Sequence, residues 1–309
     1  MTNTTEINET ANAIQAATDA APAMLTAAAP PTAMVAASSC PSCAAAAPAA
    51  GPRSSSYIYA LGQIEARYPI ISVEKEFMQT AGRIETTGLT DRQVFQKVLS
   101  DPQNRYLVRQ LCWVMNIAGL DTYILAPREP SGLDLLLDSL RATRDANALD
   151  VVIGVKGPIA PPTMCNGLLL PIVVFDQLYS FDREFLIKSI PLPKKAHADA
   201  FAATAAEVLN RILAVTDNAG ATPAHRAMNY LAVRDPSIYA RVAECHGRDL
   251  ALTAVETRPW SHSTARVIVE VLFTFTQRKN EFVEKYCVRV DVNDEFPFLV
   301  SKIAPYYEH

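Results

Sequence analysis

Arg266-Val-Ile-Val-Glu-Val-Leu-Phe-Thr-Phe-Thr-Gln277, followed by Lys285-Tyr-Cys-Val-Arg-Val-Asp-Val292, is the stretch that decides the fold class. Val267, Val269, Val271, Phe273 and Phe275 alternate with Arg266, Glu270 and Thr274, and Tyr286, Val288, Val290 and Val292 alternate with Lys285, Arg289 and Asp291. A period of two sends successive side chains to opposite faces of an extended chain, so both segments read as strands with one buried face. The polar Gln277-Arg-Lys-Asn-Glu281 joins them as an antiparallel hairpin, and Leu250 to Thr257 reads as a neighbouring strand.

Upstream of this hairpin the period changes. From Ala196 to Thr216, Phe201, Ala205, Val208, Leu209, Ile212 and Val215 recur at steps of three and four, which is the stripe of an amphipathic helix. Thr222-Pro223 and Asp235-Pro236 each set a capping side chain before a proline at the first helical position, so two more helices follow.

Nearer the N-terminus, Tyr57 to Ile64 reads as a strand interrupted by Gly62. Ser72 is expected to cap a short helix, and Thr90 to cap another over Asp91 to Leu99 that ends at Asp101-Pro102. Leu111 to Ile117 and Thr122 to Ala126 pair across a tight turn at Gly119-Leu-Asp121; an amphipathic helix spans Leu133 to Leu140, and an apolar strand Asp150 to Val155. The proline-rich Gly157 to Gly167 is expected to be a rigid loop leading into a buried strand, Leu168 to Phe175. The fold class is α+β: a mixed sheet with antiparallel C-terminal strands packed against several helices.

Residues 10–55 differ from all this. Alanine dominates, Asp19 and Arg53 are the charges, and Pro22, Pro30, Pro31, Pro41 and Pro48 interrupt any helix. Alanine runs bury too little area to offset chain entropy. The expected organisation is a disordered tail over residues 1–55 and one domain over residues 56–309.

A net charge of -4 with 19% charged residues gives no basic field for a nucleic acid or an anionic membrane, and neither is expected as a partner. The longest nearly uncharged stretch outside the tail, Gly157 to Phe175, carries four prolines, which argues against a membrane span. The N-terminus lacks the positive start of a secretory signal, and six cysteines without an even framework read as free or buried thiols; a cytoplasmic location is expected.

Few residues carry chemistry in a recognisable pattern, and no catalytic residue is assigned. Cys40-Pro-Ser-Cys43 has the spacing of half a zinc site, to which Cys245 and His246 are candidate distant ligands; the other reading is two thiols in a linker. No cofactor is expected beyond that structural zinc. Asp176 and Asp182 flank the end of a buried strand, where paired carboxylates serve acid-base work, although Asp182 also suits a helix cap and Asp176 a strand end. Arg105, Arg109 and Arg128 suit either a carboxylate ligand or a surface ion pair.

Tyr59-Ala-Leu-Gly-Gln-Ile-Glu-Ala-Arg67, Arg109-Gln-Leu-Cys-Trp-Val114, Gly119-Leu-Asp-Thr-Tyr-Ile124 and Val152-Ile-Gly-Val-Lys-Gly-Pro-Ile159 resemble segments of the C-terminal domain of the cyanobactin maturation proteins PatG and PatA. So do Met164-Cys-Asn-Gly167, Phe175-Asp-Gln-Leu-Tyr-Ser-Phe181 and Asn229-Tyr-Leu-Ala-Val-Arg234, and the likeness spans roughly residues 57–307. In that family the domain follows subtilisin-like proteases that trim or macrocyclise ribosomally made peptides. Its own role there is unassigned, so the resemblance implies a setting more than a reaction. No protease triad fits in a tail that lacks histidine.

The resemblance implies a non-catalytic accessory module that binds a precursor peptide or a peptide-maturation protease, alone or as a homodimer. Its candidate ligand-binding residues are Arg128, Cys165, Asn166, Gly167 and Asp176, with strand addition at the C-terminal hairpin as another mode. A peptide-modifying enzyme with a dispersed site, using Asp176, Asp182, Cys165, Asn166 or Arg128, is the alternative. A third reading makes Ser38-Ser-Cys-Pro-Ser-Cys43 a modified segment carried in the protein's own tail.

Overall fold

The computed structural model describes residues 56–140, 148–192, 198–215, 217–260, 265–277 and 282–307. The expected tail, and Cys40 and Cys43 with it, lie outside the described residues. The chain enters on β1 (Tyr57–Arg67) and α1 (Ile71–Ala81). Ser72 falls inside the first turn of α1, not at its cap: Ile70 holds that position without a side-chain bond, and burial of Val73, Phe77 and Ala81 sets the helix instead. Thr90 closes a reciprocal capping box with Gln93 at the start of α2 (Asp91–Ser100), as its spacing predicts. Asp101 and Pro102 then start a 3-10 turn into α3 (Arg105–Gln110).

β2 (Cys112–Ile117) and β3 (Leu120–Pro127) are joined by Ala118 and Gly119, both with positive φ (51° and 88°), as the twist of a two-residue hairpin requires. α4 (Gly132–Ser139) precedes β4 (Ala148–Ile159) and β5 (Pro171–Asp182), both longer than their apolar runs suggest. Then come α5 (Arg183–Ser189), α6 (Ala198–Leu213), α7 (Pro223–Arg234) and α8 (Pro236–Gly247), with α7 and α8 capped by Thr222 and Asp235. The chain finishes in β6 (Leu250–Pro259), β7 (Ile268–Gln277), β8 (Val283–Asp291) and β9 (Phe298–Pro305).

The strands divide between two sheets. β1, β2, β3, β5 and β4 close into a barrel in that order, with β3 and β5 parallel and the other pairs antiparallel. β6 to β9 form an antiparallel meander in chain order. Both hairpin strands β7 and β8 are therefore paired on both sides, which corrects the expectation that this hairpin offers a free edge; β6 and β9 are the edges. Register shifts in both edge pairings, with Lys302 and Pro305 on β9, are devices that discourage further pairing.

Alternation along the barrel strands feeds two cores. Ile58, Ala60, Trp113, Met115, Val152, Val173 and Phe175 point inward and pack with the apolar faces of α1 to α4. Tyr59, Leu61, Val151 and Ile153 point outward, against α6 to α8 and against Val271, Phe273, Val288 and Val290 of the second sheet. Burial of each such side chain contributes about 1.5–3 kcal/mol, so both cores are substantial. None of the described helices is long and apolar enough to cross a membrane.

A third, small cluster lies on the barrel's outer face, where the loop between β4 and β5 covers Cys112, Ile124 and Ile172. Cys165 of this loop is disulfide-bonded to Cys112, with Cα atoms 5.6 Å apart. That corrects the reading of these two cysteines as thiols; the loop's apolar residues draw it onto the strand and bring the pair together. Cys245 and Cys287 are buried thiols.

Candidate functional site

Arg128 and Asp176 are brought together just past the end of the parallel β3–β5 pairing. Ala126 and Pro127 of β3 lie beside Val174 and Phe175 of β5, and the Arg128 amide donates to the Phe175 carbonyl (3.0 Å). Asp176 does not end its strand, as the composition suggests. Gly154 and Ile153 of β4 pair with Phe175 and Gln177, leaving Asp176 as the extra residue of a bulge. A bulge re-aims the side chain, and here it turns the carboxylate onto Arg128, whose Nε and Nη2 donate to its two oxygens at 2.5 and 2.7 Å. Hydrogen bonding from Arg128, then from Glu295, holds the Asp176 carboxyl below the usual carboxylate range.

Glu295 completes this cluster and has no sequence signature, being one of two adjacent acids in the Asn293–Glu295 turn. Burial, and then the neighbouring Asp176, push its pKa up to about 7. Behind it lies Arg226 of α7, fully buried, which donates to the carbonyls of Val292 (2.7 Å), Asp294 and Glu295 (3.1 Å) and stands 5.4 Å from the ring centre of Tyr57. Desolvation lowers even this guanidinium, to about 10. Two carboxyl groups with pKa values driven apart, one arginine at the surface and one beneath, make a proton-sharing pair.

The other predicted ligand residues are not part of that cluster. Cys165, Asn166 and Gly167 form a 3-10 turn with three successive positive φ angles (52°, 55° and 83°) over the Ile124–Ile172 level of the barrel. That level is four strand residues from Asp176, about 13 Å at the rise of an extended chain. Cys165 is held in its disulfide, so it offers no thiol to a ligand. Asp182 takes the N-cap position of α5 without a side-chain cap bond, and Arg105 pairs with Asp134. Cys245 and His246 diverge: the thiol is buried beside Arg248 (3.5 Å), while the imidazole is exposed. No group of three or more metal-ligating side chains occurs among the described residues.

A groove of about 440 Å³ opens where β1 exchanges its partner β4 for β2 at Gly62 and Gln63. Its walls are Leu61, Ile117, Leu149, Leu213 and Ala214, and its polar groups are Gln63, Asn116, Asn210 and Arg183. Gly62 is required at the floor, because a Cβ there would stand 2.4 Å from the Asn116 carbonyl oxygen. Among the described residues Arg183 is the one charge in the lining; it reaches Asn210 at 3.4 Å, and its Nε is buried with no partner among them. Sequence reasoning missed this groove, since an arginine opening a short helix looks like any surface charge.

Residues 195–306 match the family model described as PatG C-terminal. A solved structure described as a PatG domain of unknown function superposes with a TM-score of 0.66, over 82% of this chain and 99% of that one. Over residues 195–306, a little more than a third of the chain, the protein is thus similar to the PatG C-terminal family. At 19% identity the structural likeness shows the fold, and no curated protein matches.

Segments that carry the resemblance turn out to hold this domain together. Asn229 and Asn218 exchange hydrogen bonds (2.7 and 3.2 Å), Asn229 also donates to the Tyr59 carbonyl (2.8 Å), and the Tyr59 amide donates to the Gly220 carbonyl (2.9 Å). The Tyr59 and Tyr179 hydroxyls meet at 2.8 Å, and Arg234 lies 5.0 Å from the centre of the Tyr179 ring. Burial and the neighbouring phenol raise the Tyr59 pKa, so this hydroxyl stays neutral. Arg67 grips Asp121 through both terminal nitrogens, at 2.6 and 2.8 Å. These are bonds of architecture, and Asp121 also accepts from Asn116 of the groove lining (3.3 Å).

Proposed function

We propose that this domain is a non-catalytic binding module in the biosynthesis of ribosomally made, post-translationally modified peptides, recognising a precursor peptide or a partner maturation enzyme in the cytoplasm. The family match supports the setting, and the groove between β1, the β2–β3 turn and α6 carries the binding reading. Its volume falls among ligand pockets of roughly 300–1,000 Å³, and its apolar walls with a few convergent hydrogen-bonding groups suit a short peptide segment. Calorimetry of the full chain against the precursor peptides and maturases encoded beside it tests the reading. Micromolar binding to one of them is expected, and silence down to roughly millimolar affinity overturns it.

A second reading, a peptide-modifying enzyme, draws on the Asp176–Glu295 pair. Carboxyl groups of unequal pKa, bridged by hydrogen bonding and flanked by Arg128, are the equipment of general acid-base chemistry. Incubation of each precursor with the protein and with Asp176→Asn, read by mass spectrometry, decides this. A mass change made by the parent protein and lost in the variant supports it, and identical product masses refute it.

A further inference from the structure

We propose that the groove at Arg183 is a carboxylate pocket, built to take the free C-terminal α-carboxylate of a peptide whose last side chains are apolar. The inference rests on the binding reading above and names the part of the peptide that the groove holds.

The lining is one-sided in chemistry. Among the described residues Arg183 is its only charge and no acid stands in the lining, while Asn116, Asn210 and Gln63 add side-chain amides. An arginine in such a wall normally finds a carboxylate inside the protein, as Arg128 finds Asp176 and Arg248 finds Glu284 (2.8 Å to each oxygen). The Arg183 guanidinium instead reaches an amide oxygen at 3.4 Å, at the long limit for a hydrogen bond, and keeps its Nε buried and unpartnered among the described residues. A buried donor in that state costs free energy until a ligand acceptor satisfies it. A planar carboxylate does so through two parallel bonds, to Nε and a terminal nitrogen, which a neutral amide cannot match.

The rest of the groove selects what the carboxylate is attached to. Leu61, Ile117, Leu149, Leu213 and Ala214 form an apolar wall along about 440 Å³, more space than a free inorganic anion needs. The amides of Asn116 and Asn210 stand beside that wall as partners for a peptide backbone, Asn116 being held by Asp121 (3.3 Å). A carboxylate at the end of an apolar peptide satisfies both the guanidinium and the wall.

The test uses the full chain, isotopically labelled for amide NMR, and three probe peptides: Ac-Leu-Ala-Leu with a free C-terminus, its C-terminal amide, and Ac-Leu-Asp-Leu amide, which carries its carboxylate inside the sequence. The free acid is expected to shift amides of residues 61–63, 116–119 and 210–214, and to bind at least about tenfold more tightly than either amide. Arg183→Gln is expected to reduce the free acid to the level of its amide. Asn210→Asp, at an exposed helix position, supplies an internal carboxylate and is expected to do the same with the fold intact, as circular dichroism will show. Equal binding of acid and amide, tighter binding of the internal carboxylate, no shifts at 10-fold or greater excess at roughly millimolar peptide, or an unaffected Arg183→Gln each overturns the proposal. If Arg183→Gln leaves binding of a native precursor or maturase untouched, the carboxylate pocket fails while the binding module stands. If the free acid binds but no native partner does, the reverse holds.

Discussion

Glu295→Gln should make the domain more stable above neutral pH and leave it almost unchanged near pH 5. Burial and Asp176 raise the Glu295 pKa from its ordinary 4.5 to about 7 in the folded protein, whereas the unfolded chain releases the proton near 4.5. The folded state therefore holds more protons between those values, and stability falls as pH rises through that window. The stabilisation is complete below about 4.5 and gone above about 7. A shift of this size corresponds to a ceiling of about 3 kcal/mol at 1.36 kcal/mol for each pH unit, and solvent screening around this half-buried carboxyl reduces it to about 1 kcal/mol. Glutamine keeps a neutral donor toward Asp176 and removes the titration. Thermal melts of both full-length proteins from pH 5 to pH 8 at fixed ionic strength should show no gap at pH 5 and a gap of about 2–4 °C in favour of the variant at pH 8. His225, whose pKa burial lowers, gives stability that falls with decreasing pH in both proteins and cancels in the difference. Asp176, held low by Arg128, loses its contribution only at pH values below this range. A gap that stays constant with pH would refute the argument, because it would mean that Glu295 ionises as freely in the folded protein as in the unfolded chain.

Asn229→Leu should cost about 2–3 kcal/mol in urea unfolding, because it leaves the Tyr59 carbonyl without its donor and removes both bonds to the buried Asn218 side chain; a loss below about 0.5 kcal/mol would show that water replaces them. Gly154→Ala should be poorly folded, since its Cβ would stand 2.3 Å from the Val174 carbonyl oxygen in the β4–β5 ladder, and a melting temperature within a degree of the parent's would contradict that packing. Arg226→Met should destabilise by about 3 kcal/mol, measured the same way, by stranding the three turn carbonyls that the guanidinium holds. Non-reducing peptide mapping should recover a linked fragment containing Cys112 and Cys165, with Cys245 and Cys287 alkylated only after unfolding; free thiols at the first pair would contradict the bridge.

Local order was legible in the residues, and long-range closure was not. Thr90, Thr222 and Asp235 announce their helices because a cap acts within three residues, and the β7–β8 hairpin announces itself because its two faces differ in polarity. β9 carries apolar residues on both faces, Phe298 and Val300 on one and Leu299 and Ile303 on the other, so no alternation marks it. The barrel depends on the parallel β3–β5 pair, whose partners are nearly fifty residues apart and leave no short-range trace. Arg128 and Asp176 were recognised as candidates by residue type and position after apolar runs. Glu295 and Arg183 were not, because each becomes unusual only through distant neighbours: Asp176 and Arg226 for the first, α6 and the β2–β3 turn for the second.

β1 serves both cores at once, Ile58 and Ala60 on the barrel side and Tyr59 and Leu61 on the side of the helices and second sheet. The stretch matching the family model, residues 195–306, contains α6 to α8 and the meander but none of β1, β4 or β5, which cover its apolar interior. That statistical boundary is therefore not a folding boundary. A fragment cut there would bare the faces that Leu61, Val151 and Ile153 cover, while the complementary fragment would lose the Asn229 and Gly220 partners of Tyr59. The two halves must mature together, so a chain still emerging from the ribosome cannot complete the core that β1 shares with the second sheet until the last strands are made, and that interval is when it is most exposed to aggregation.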